Sequence, residues 1–210
     1  MTQRKGFFIV VEGIDGMGKS TQLAELEAYL RAQGYGVRRS KEPTDSDYGR
    51  EIRRIAQQGR ANVSLEDELG LFLKDRELDV RENILPALEA GEVVLLDRYF
   101  YSNIAYQGAL GLDPAHIRQA NEGFPVPDLV ILMDAPPTVG IGRIRGGRGE
   151  VNNQGYEQED FLEKVRALFR AMPDPNIVRV DATRDLASVT RDVRDLVMSR
   201  LADKAIVKSK

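Results

Sequence analysis

The sequence contains no cysteine and no tryptophan, and it has a single histidine, His116. Without cysteine the chain can form no disulfide, no thiolate-ligated zinc or iron–sulfur cluster and no cysteine nucleophile, and one histidine cannot build a histidine-rich metal site. No apolar run approaches the roughly 18 residues that cross a bilayer, and the run Phe7–Val11 is too short for a signal-peptide core. We therefore expect a cytoplasmic protein without a membrane partner, whose chemistry depends on lysine, arginine, carboxylates and backbone groups.

Charge and composition are those of an ordinary globular domain. The 210 residues include 30 Lys and Arg against 33 Asp and Glu, a net charge of −3, and 42% of the residues are hydrophobic. A mildly acidic total argues against a nucleic-acid partner, because domains that bind nucleic acid are usually basic. The length fits one domain that covers residues 1–210.

Short apolar runs alternate with stretches of helical periodicity along the chain. Because a strand, a helix and a further strand in succession form a parallel pair, about five repeats of this order predict a parallel sheet with helices on both faces, an α/β fold of three layers. The predicted strands are Phe7–Val11, Val37–Lys41, Val93–Asp97, Leu129–Asp134 and Ile177–Asp181.

The segments between the strands differ in their patterns. Gln22–Gln33 has helical spacing of its apolar residues, and Leu65–Ala90 reads as one long helix. Glu42–Gly49 is polar and is predicted as a turn. Gly146–Gly155 is rich in glycine and asparagine between two helical patterns, which predicts a mobile loop.

A phosphate-binding motif follows the first strand. Gly13–Ser20 fits the pattern G-x-x-x-x-G-K-[ST] between a strand and a helix, which is the context that the motif requires. Its glycines let backbone N–H groups approach a polyphosphate, Lys19 would bridge the terminal phosphates and Ser20 would ligate Mg²⁺. The residues expected to bind ATP are Gly13, Ile14, Asp15, Gly16, Met17, Gly18, Lys19, Ser20 and Thr21.

Charged residues also follow the third strand, where ligands of an open parallel sheet bind. Asp97 is expected to act with Ser20 on Mg²⁺, and Arg98 to contact phosphate oxygens. The alternative is that Asp97 only caps a helix and Arg98 only pairs with it.

The order of these motifs resembles the thymidylate kinase family, P-loop nucleoside monophosphate kinases that move the γ-phosphoryl group of ATP to dTMP. The likeness spans nearly the whole chain. It implies the P-loop NTPase form of the three-layer fold with five parallel strands, a short mobile lid at about 143–156, Mg²⁺ with ATP as phosphoryl donor, dTMP as second substrate and a homodimer. The segments that carry it are Glu12–Thr21, Phe72-x-x-x-Arg76, Asp97–Tyr106 and, more weakly, Pro127–Gly140.

The resemblance also implies roles for the matched residues. Phe72 would stack on thymine, Arg76 and Asn103 would read the edge of the base, and Tyr106 would crowd the 2′ position against a ribonucleotide. Asp15 would lie near the exchanging phosphates and contribute to the metal site with Ser20 and Asp97. The residues expected to bind the acceptor are Glu42, Arg50, Phe72, Arg76, Arg98, Ser102, Asn103, Tyr106 and Gln107.

Positive charge for the transfer is expected from the lid. The phosphate-binding turn offers no arginine, so the resemblance implies a lid arginine that closes over the phosphates, an effect worth on the order of 10³–10⁵ in turnover. The catalytic set implied is Lys19, Asp15 and Arg98 together with the three arginines Arg143, Arg145 and Arg148.

Two departures from the family pattern stand out. Where the family commonly has Arg-Glu-Pro-Gly-Gly-Thr, this chain has the acidic run Lys41–Asp47, and Arg50 or Arg53 are the candidates to replace the lost acceptor-phosphate contacts. The family also places an arginine before the aromatic-Glu pair that closes the lid, but here glycine precedes Tyr156, so the charge must come from the front edge of the lid.

Three functions remain open at this point. The leading one is a dTMP kinase, and the second keeps the chemistry but changes the acceptor to another or a modified deoxynucleoside monophosphate, because of the altered turn. The third is a regulatory protein that binds nucleotides without transfer. At single positions, Phe72 and Tyr106 could instead be ordinary core residues of their helices.

Overall fold

The computed structural model describes residues 5–60, 63–148 and 159–206. Five strands form one parallel sheet in the order β2-β3-β1-β4-β5. The central strand β1 pairs with β3 and with β4, so β3 and β2 lie on one side of it and β4 and β5 lie on the other. The strands are β1 Phe7–Glu12, β2 Val37–Lys41, β3 Val93–Asp97, β4 Leu129–Asp134 and β5 Ile177–Asp181.

Helices occupy the segments between the strands, and a π-helical turn at Val80–Ile84 separates α3 from α4. The sequence predicts a single helix over Leu65–Ala90, and the structure divides it at this turn. The helices are α1 Lys19–Ala32, α2 Asp47–Gln58, α3 Leu65–Asp79, α4 Leu85–Glu89, α5 Phe100–Ala109, α6 Pro114–Ala120, α7 Pro137–Arg148, α8 Glu159–Ala171 and α9 Leu186–Asp203.

The sheet lies between two groups of helices. Helices α1 and α9 pack on each other and on the sheet, and a second group contains α3, α5, α6, α7 and α8, joined to one another by their contacts. Every residue of β1 is buried, as expected for a central strand covered on both faces. The expected three-layer α/β fold with five parallel strands is confirmed.

Two expectations about connecting segments need correction. The polar turn predicted at Glu42–Gly49 ends at Ser46, because the Ser46 hydroxyl accepts a hydrogen bond from Gly49 N and caps α2. The loop predicted at Gly146–Gly155 begins later, since α7 continues to Arg148. The remainder of the expected lid, residues 149–156, lies outside the described residues. Within the described part of the chain, no helix is both long and apolar enough to span a membrane.

Candidate active site

The phosphate-binding turn lies at the C-terminal end of β1, where the strand order reverses. Gly16 has φ 78°, and a Cβ added there would lie 2.3 Å from the Gly140 carbonyl oxygen of α7. Reciprocally, a Cβ on Gly140 would lie 2.3 Å from the Asp15 carbonyl oxygen. The turn and α7 are therefore in direct backbone contact, which accounts for Gly140, the glycine that ends the Pro127–Gly140 segment.

Lys19 begins α1 and is 7% exposed. Its Nζ donates a hydrogen bond to the Ile14 carbonyl oxygen at 2.9 Å, so the side chain folds back along the turn. Burial and the nearby charge of Arg98 lower the pKa of Lys19 to about 8, although the carboxylates around it oppose this shift. A polyphosphate at the turn would supply the negative charge that favours the protonated amine.

Ser20 and Asp97 meet across the sheet edge, since α1 begins beside the C-terminal end of β3. The Ser20 Oγ donates a hydrogen bond to the Asp97 Oδ2 at 2.9 Å. This contact shows that Asp97 reaches the first turn of α1 rather than acting only as a cap for α5, whose N-cap residue is Tyr99. A hydroxyl and a carboxylate side by side are oxygen donors of the kind that Mg²⁺ prefers.

Arg98 joins the phosphate-binding turn to α5. Its backbone has φ 68°, which is uncommon for a residue other than glycine, and its Nη2 donates to the Asp15 Oδ1 at 2.5 Å. Nη1 donates to the Ser102 Oγ at 3.0 Å and to the Gly13 carbonyl oxygen at 3.2 Å. The guanidinium carbon also lies 5.1 Å from the centre of the Tyr106 ring.

Asp15 and Tyr106 complete this charged group. The Tyr106 hydroxyl donates to the Asp15 Oδ2 at 3.2 Å. Burial opposes the ionisation of Asp15, but the positive charges of Arg98 and Lys19 prevail and hold its pKa below the usual value. Tyr106 is half-buried and packs edge-on against the ring of Phe169, with ring centres 6.4 Å apart, so it contacts the core while its hydroxyl faces the site.

Glu12 is a buried carboxylate of the site whose structural role was not expected from the sequence. It is fully buried at the end of β1, where its Oε1 accepts from Tyr99 N at 2.8 Å and its Oε2 accepts from the Ser102 Oγ at 2.6 Å. Burial raises the pKa of Glu12. The carboxylate thereby holds the start of α5 against the phosphate-binding turn. A lone acidic residue that ends an apolar strand is the signal that could have indicated this role.

Arg76 lies at the centre of a second cluster and is 1% exposed. Its Nε and Nη2 both donate to the Glu42 Oε2, at 3.0 and 2.6 Å, and Nη2 also donates to the Asn103 Oδ1 at 2.8 Å. Nη1 donates to the Asn121 Oδ1 at 2.5 Å. Asn121 was not expected from the sequence, because no motif used in that analysis includes it.

Glu42 is the buried hydrogen-bond partner of Arg76. Its second oxygen, Oε1, is buried and has no hydrogen-bond partner among the described residues. Burial raises the pKa of Glu42 to about 8, against the lowering effect of Arg76, and Asp79 and Asp75 add to the rise. Glu42 therefore contacts Arg76 directly, so any part it has in acceptor binding passes through that guanidinium.

The remaining acceptor candidates on α3 and α5 differ in their exposure. Phe72 is half-buried and is not part of the main core cluster, which disfavours its interpretation as an ordinary core residue. Gln107 is buried, accepts from the Asn103 Nδ2 at 3.3 Å and donates to the Leu65 carbonyl oxygen at 3.4 Å. Phe72 thus has an accessible face, whereas Gln107 supports Asn103.

The altered turn after β2 is held by a buried carboxylate. Asp75 of α3 accepts hydrogen bonds from the Thr44 N at 2.8 Å, the Thr44 Oγ1 at 2.5 Å and the Ser46 Oγ at 2.6 Å. Arg53 donates to the Thr44 carbonyl oxygen at 2.7 Å, whereas Arg50 is exposed and bonds to Asp45 O and to an Asp47 carboxylate oxygen. Side-chain bonds to Asp75 therefore order a turn that lacks the family's paired glycines.

The three lid arginines occupy one helix. Arg143 donates from Nη2 to the Ala182 carbonyl oxygen at 2.8 Å, which places it beside the segment that follows β5. Arg145 is exposed. Arg148 is the last residue of α7, and its side chain lies outside the described part of the chain.

Helix α5 brings the two clusters together. Ser102 and Tyr106 are four residues apart and both contact the Arg98 guanidinium, while Asn103 and Gln107, also four apart, bond to each other beside Arg76. One helix thus contributes side chains both to the cluster beside the phosphate-binding turn and to the Arg76 cluster.

Comparison with known proteins agrees with this geometry. A family model described as thymidylate kinase matches residues 11–193. A probable thymidylate kinase of Archaeoglobus fulgidus is 46% identical over 194 residues, which cover 92% of this chain and 95% of that protein. The thymidylate kinase of Akkermansia muciniphila is 46% identical over 202 residues, 96% of each chain, and that of Xanthomonas campestris pv. campestris strain B100 is 44% identical over 199 residues, 95% and 86% of the two chains.

Proposed function

This chain belongs to the thymidylate kinase family and phosphorylates dTMP with ATP as donor, and we propose that it does so as a single domain, residues 1–210, with the two nucleotides bound at the two ends of the cleft along α5. The observation that carries the proposal is that α5 contributes side chains to both clusters. Asp15, Arg98 and Tyr106 form one bonded group next to the phosphate-binding turn, and Asn103 on the adjacent face of α5 bonds to Arg76.

The donor end would bind the triphosphate of ATP. Backbone N–H groups of Gly13–Thr21 and the N-terminus of α1 attract a polyphosphate, and the protonated Lys19 amine would leave its contact with the Ile14 carbonyl to meet the terminal phosphates. Gly16 must remain glycine for this turn to pack against α7. The buried position of Lys19 strengthens its interaction with phosphate, because water screens the charges less.

Ser20 and Asp97 are the residues that we propose for Mg²⁺. Their oxygens lie within hydrogen-bond distance of each other, and we propose the Asp15 carboxylate as the third protein ligand. Within residues 5–60, 63–148 and 159–206, no group of three or more histidine and carboxylate side chains is arranged to hold a metal, which suits an ion bound mainly by phosphates and water. When bound, Mg²⁺ neutralises charge on the phosphate oxygens.

The acceptor end would bind dTMP. Phe72, with its accessible face, would stack on the thymine ring, and the buried Arg76 and Asn103 would contact the edge of the base. Tyr106 and Asp15 would lie beside the deoxyribose, so that the half-buried phenol ring excludes a 2′-hydroxyl. Arg98, which contacts the phosphate-binding turn through the Gly13 carbonyl oxygen, would then hold the acceptor phosphate.

Additional positive charge would come from the front edge of the lid. Phosphoryl transfer is catalysed mainly by positioning and by positive groups around the migrating phosphoryl. Arg143 is held at the Ala182 carbonyl oxygen, so we assign it to the donor side, and we propose Arg145 or Arg148 for closure over the phosphates. Arg148→Ala should then lower kcat more than it raises the KM for dTMP, while equal effects would indicate ground-state binding.

We also propose a homodimer that acts in the cytoplasm. Leu85 is 37% exposed on α4, and Leu71 and Leu78 of α3 are half-buried outside the main core cluster. These leucines supply apolar surface for a second copy. ATP and dTMP are metabolites of the cytoplasm, which supports that compartment. Light scattering at several protein concentrations, with Leu78→Glu as the disrupting variant, tests the dimer.

The proposed function is tested by coupled ADP release with Mg-ATP against dTMP, dUMP, dGMP, dCMP and UMP in parallel. Strong preference for dTMP is the expected result, with Lys19→Ala losing most turnover while its fold survives. Activity on a different acceptor would instead connect the Lys41–Asp47 turn to an altered specificity. Nucleotide binding without turnover on any acceptor would contradict the assignment.

A further inference from the structure

The geometry of the Arg76 cluster points to a further residue that determines base specificity. A guanidinium has five N–H donors. The hydrogen bonds to Glu42, Asn103 and Asn121 account for four of them: Nε–H, both N–H groups of Nη2 and one N–H of Nη1. These bonds do not use the second N–H of Nη1. This N–H is therefore the donor with which Arg76 would contact a base.

Asn121 acts on the same nitrogen that carries this remaining donor. Its Oδ1 accepts from Arg76 Nη1 at 2.5 Å, and both side chains are buried, 3% and 1% exposed. Glu42 and Asn103 bind the Nε and Nη2 side of the guanidinium. Because the guanidinium is planar, these contacts together fix where the remaining N–H of Nη1 points, and Asn121 is the one that binds the same nitrogen.

The end of α6 fixes the orientation of the Asn121 amide. Asn121 is the C-cap residue of α6, and its Nδ2 donates to the Ile117 carbonyl oxygen at 2.8 Å. Because the NH₂ group is used on Ile117, the oxygen of the amide must face Arg76. The same turn brings Phe124 to the cluster, since Phe124 N donates to Asn121 O and its ring centre lies 5.8 Å from the Arg76 guanidinium carbon.

We infer that Asn121 is a positioning residue for base recognition, and this inference rests on the proposed role of Arg76 toward the acceptor. An N–H donor held at the edge of a pyrimidine favours a carbonyl oxygen at position 4 and opposes an amino group there. Through Arg76, Asn121 therefore favours dTMP over dCMP. It touches no reacting atom, so its contribution concerns acceptor affinity and selectivity rather than the rate of phosphoryl transfer.

The test measures kcat and KM for dTMP and dCMP in Asn121→Leu and Asn121→Asp. The leucine variant has similar size but accepts no hydrogen bond, so we expect the dTMP/dCMP ratio of kcat/KM to fall by about ten-fold, mainly through KM for dTMP. The aspartate variant keeps an acceptor for Nη1, while its other oxygen would face the Ile117 carbonyl oxygen. It should therefore lose stability but retain more selectivity than the leucine variant. Should Asn121→Leu fail to fold, Asn121→Ser removes the reach to Arg76 with a polar residue and gives the same comparison.

Two further variants separate the possible outcomes. Asn176→Leu is the matched control, because Asn176 also makes two hydrogen bonds, to Tyr101 and Pro127, but lies before β5 at the opposite edge of the sheet. It should lower thermal stability without changing the ratio. Arg76→Met tests the premise: if this variant leaves the ratio unchanged, the proposed role of Arg76 fails. If Arg76→Met abolishes selectivity while Asn121→Leu preserves it, only the inference about Asn121 is overturned.

Discussion

Lys19 should take up a proton when ATP binds. Its amine is 7% exposed, it donates to a backbone carbonyl oxygen, and its pKa is lowered to about 8 by burial and by Arg98. A triphosphate at the turn adds negative charge that favours the protonated form, so ligand binding raises this pKa. The expected uptake at full saturation is about 0.1 proton at pH 7, about 0.5 at pH 8 and about 0.9 at pH 9.

The same linkage fixes the pH dependence of affinity. Since ATP binds the protonated amine, the apparent Kd should rise with the fraction of neutral Lys19, and it should be about ten-fold larger at pH 9 than at pH 7. The terminal phosphate titrates near 6, so ionisation of the ligand contributes little in this range. In the absence of ligand the direction is opposite, because a lysine with a lowered pKa makes the folded protein more stable as the pH rises from about 8 toward 10.5.

Calorimetric titration of ATP in buffers of different ionisation enthalpy measures the proton uptake directly. Lys19→Arg is the matched control, because arginine stays charged throughout and should give neither uptake nor a steep pH profile. Uptake below about 0.2 proton at pH 8.5 in the parent protein, or the same uptake in Lys19→Arg, would refute the reasoning. Either result would mean that Lys19 takes up no proton when ATP binds.

Three other predictions concern different parts of the cleft. Tyr106→Ala should relax the preference for dTMP over UMP, because the ring excludes the 2′-hydroxyl, and unchanged selectivity in parallel kinetics would return Tyr106 to a core role. Gly140→Ala places a Cβ 2.3 Å from the Asp15 carbonyl oxygen and should lower stability by about 1–3 kcal/mol and weaken ATP binding, as thermal unfolding and titration can show. Glu42 has a pKa of about 8 in the folded protein and 4.5 in the unfolded chain, so the free energy of unfolding should fall as the pH rises between these values. Glu42→Gln should flatten this slope when unfolding by denaturant is measured at several pH values. An unchanged slope would contradict Glu42 as the source of the pH dependence.

Much of this architecture was predictable because local signals and fold agree. The inner strands β1, β3 and β4 are buried on both faces and read as continuous apolar runs, and the more exposed edge strands β2 and β5 were also located. The phosphate-binding turn was predictable from Gly13–Ser20, since the motif describes backbone geometry that few other residues permit. The division of the long helix by a π-helical turn was not, because the change from one helical period to another leaves the apolar pattern almost intact.

The buried polar contacts of the site were harder to predict than its motifs. Asp75 orders the turn after β2 and Asn121 holds Arg76, yet each bond joins residues 29 to 45 positions apart in the chain. No local pattern specifies such partners, which arise only when the helices pack together. Motifs therefore indicated the groups that we propose to face the ligands, and the fold was needed to find the groups that hold them in place.

The sharing of α5 between two clusters limits how this enzyme can change. Ser102 and Tyr106 lie on one stripe of the helix, and Asn103 and Gln107 lie on the next, a rotation of about 100° away. A single-residue deletion near the start of α5 would move Asn103 and Gln107 to the stripe at the phosphate end, whereas a single-residue insertion would move Ser102 and Tyr106 to the stripe beside Arg76. With the proposed roles of Tyr106 and Asn103, sugar selection and base selection would depend on the same helical register, so new acceptor preferences should arise by substitution within α5 rather than by changes in its length.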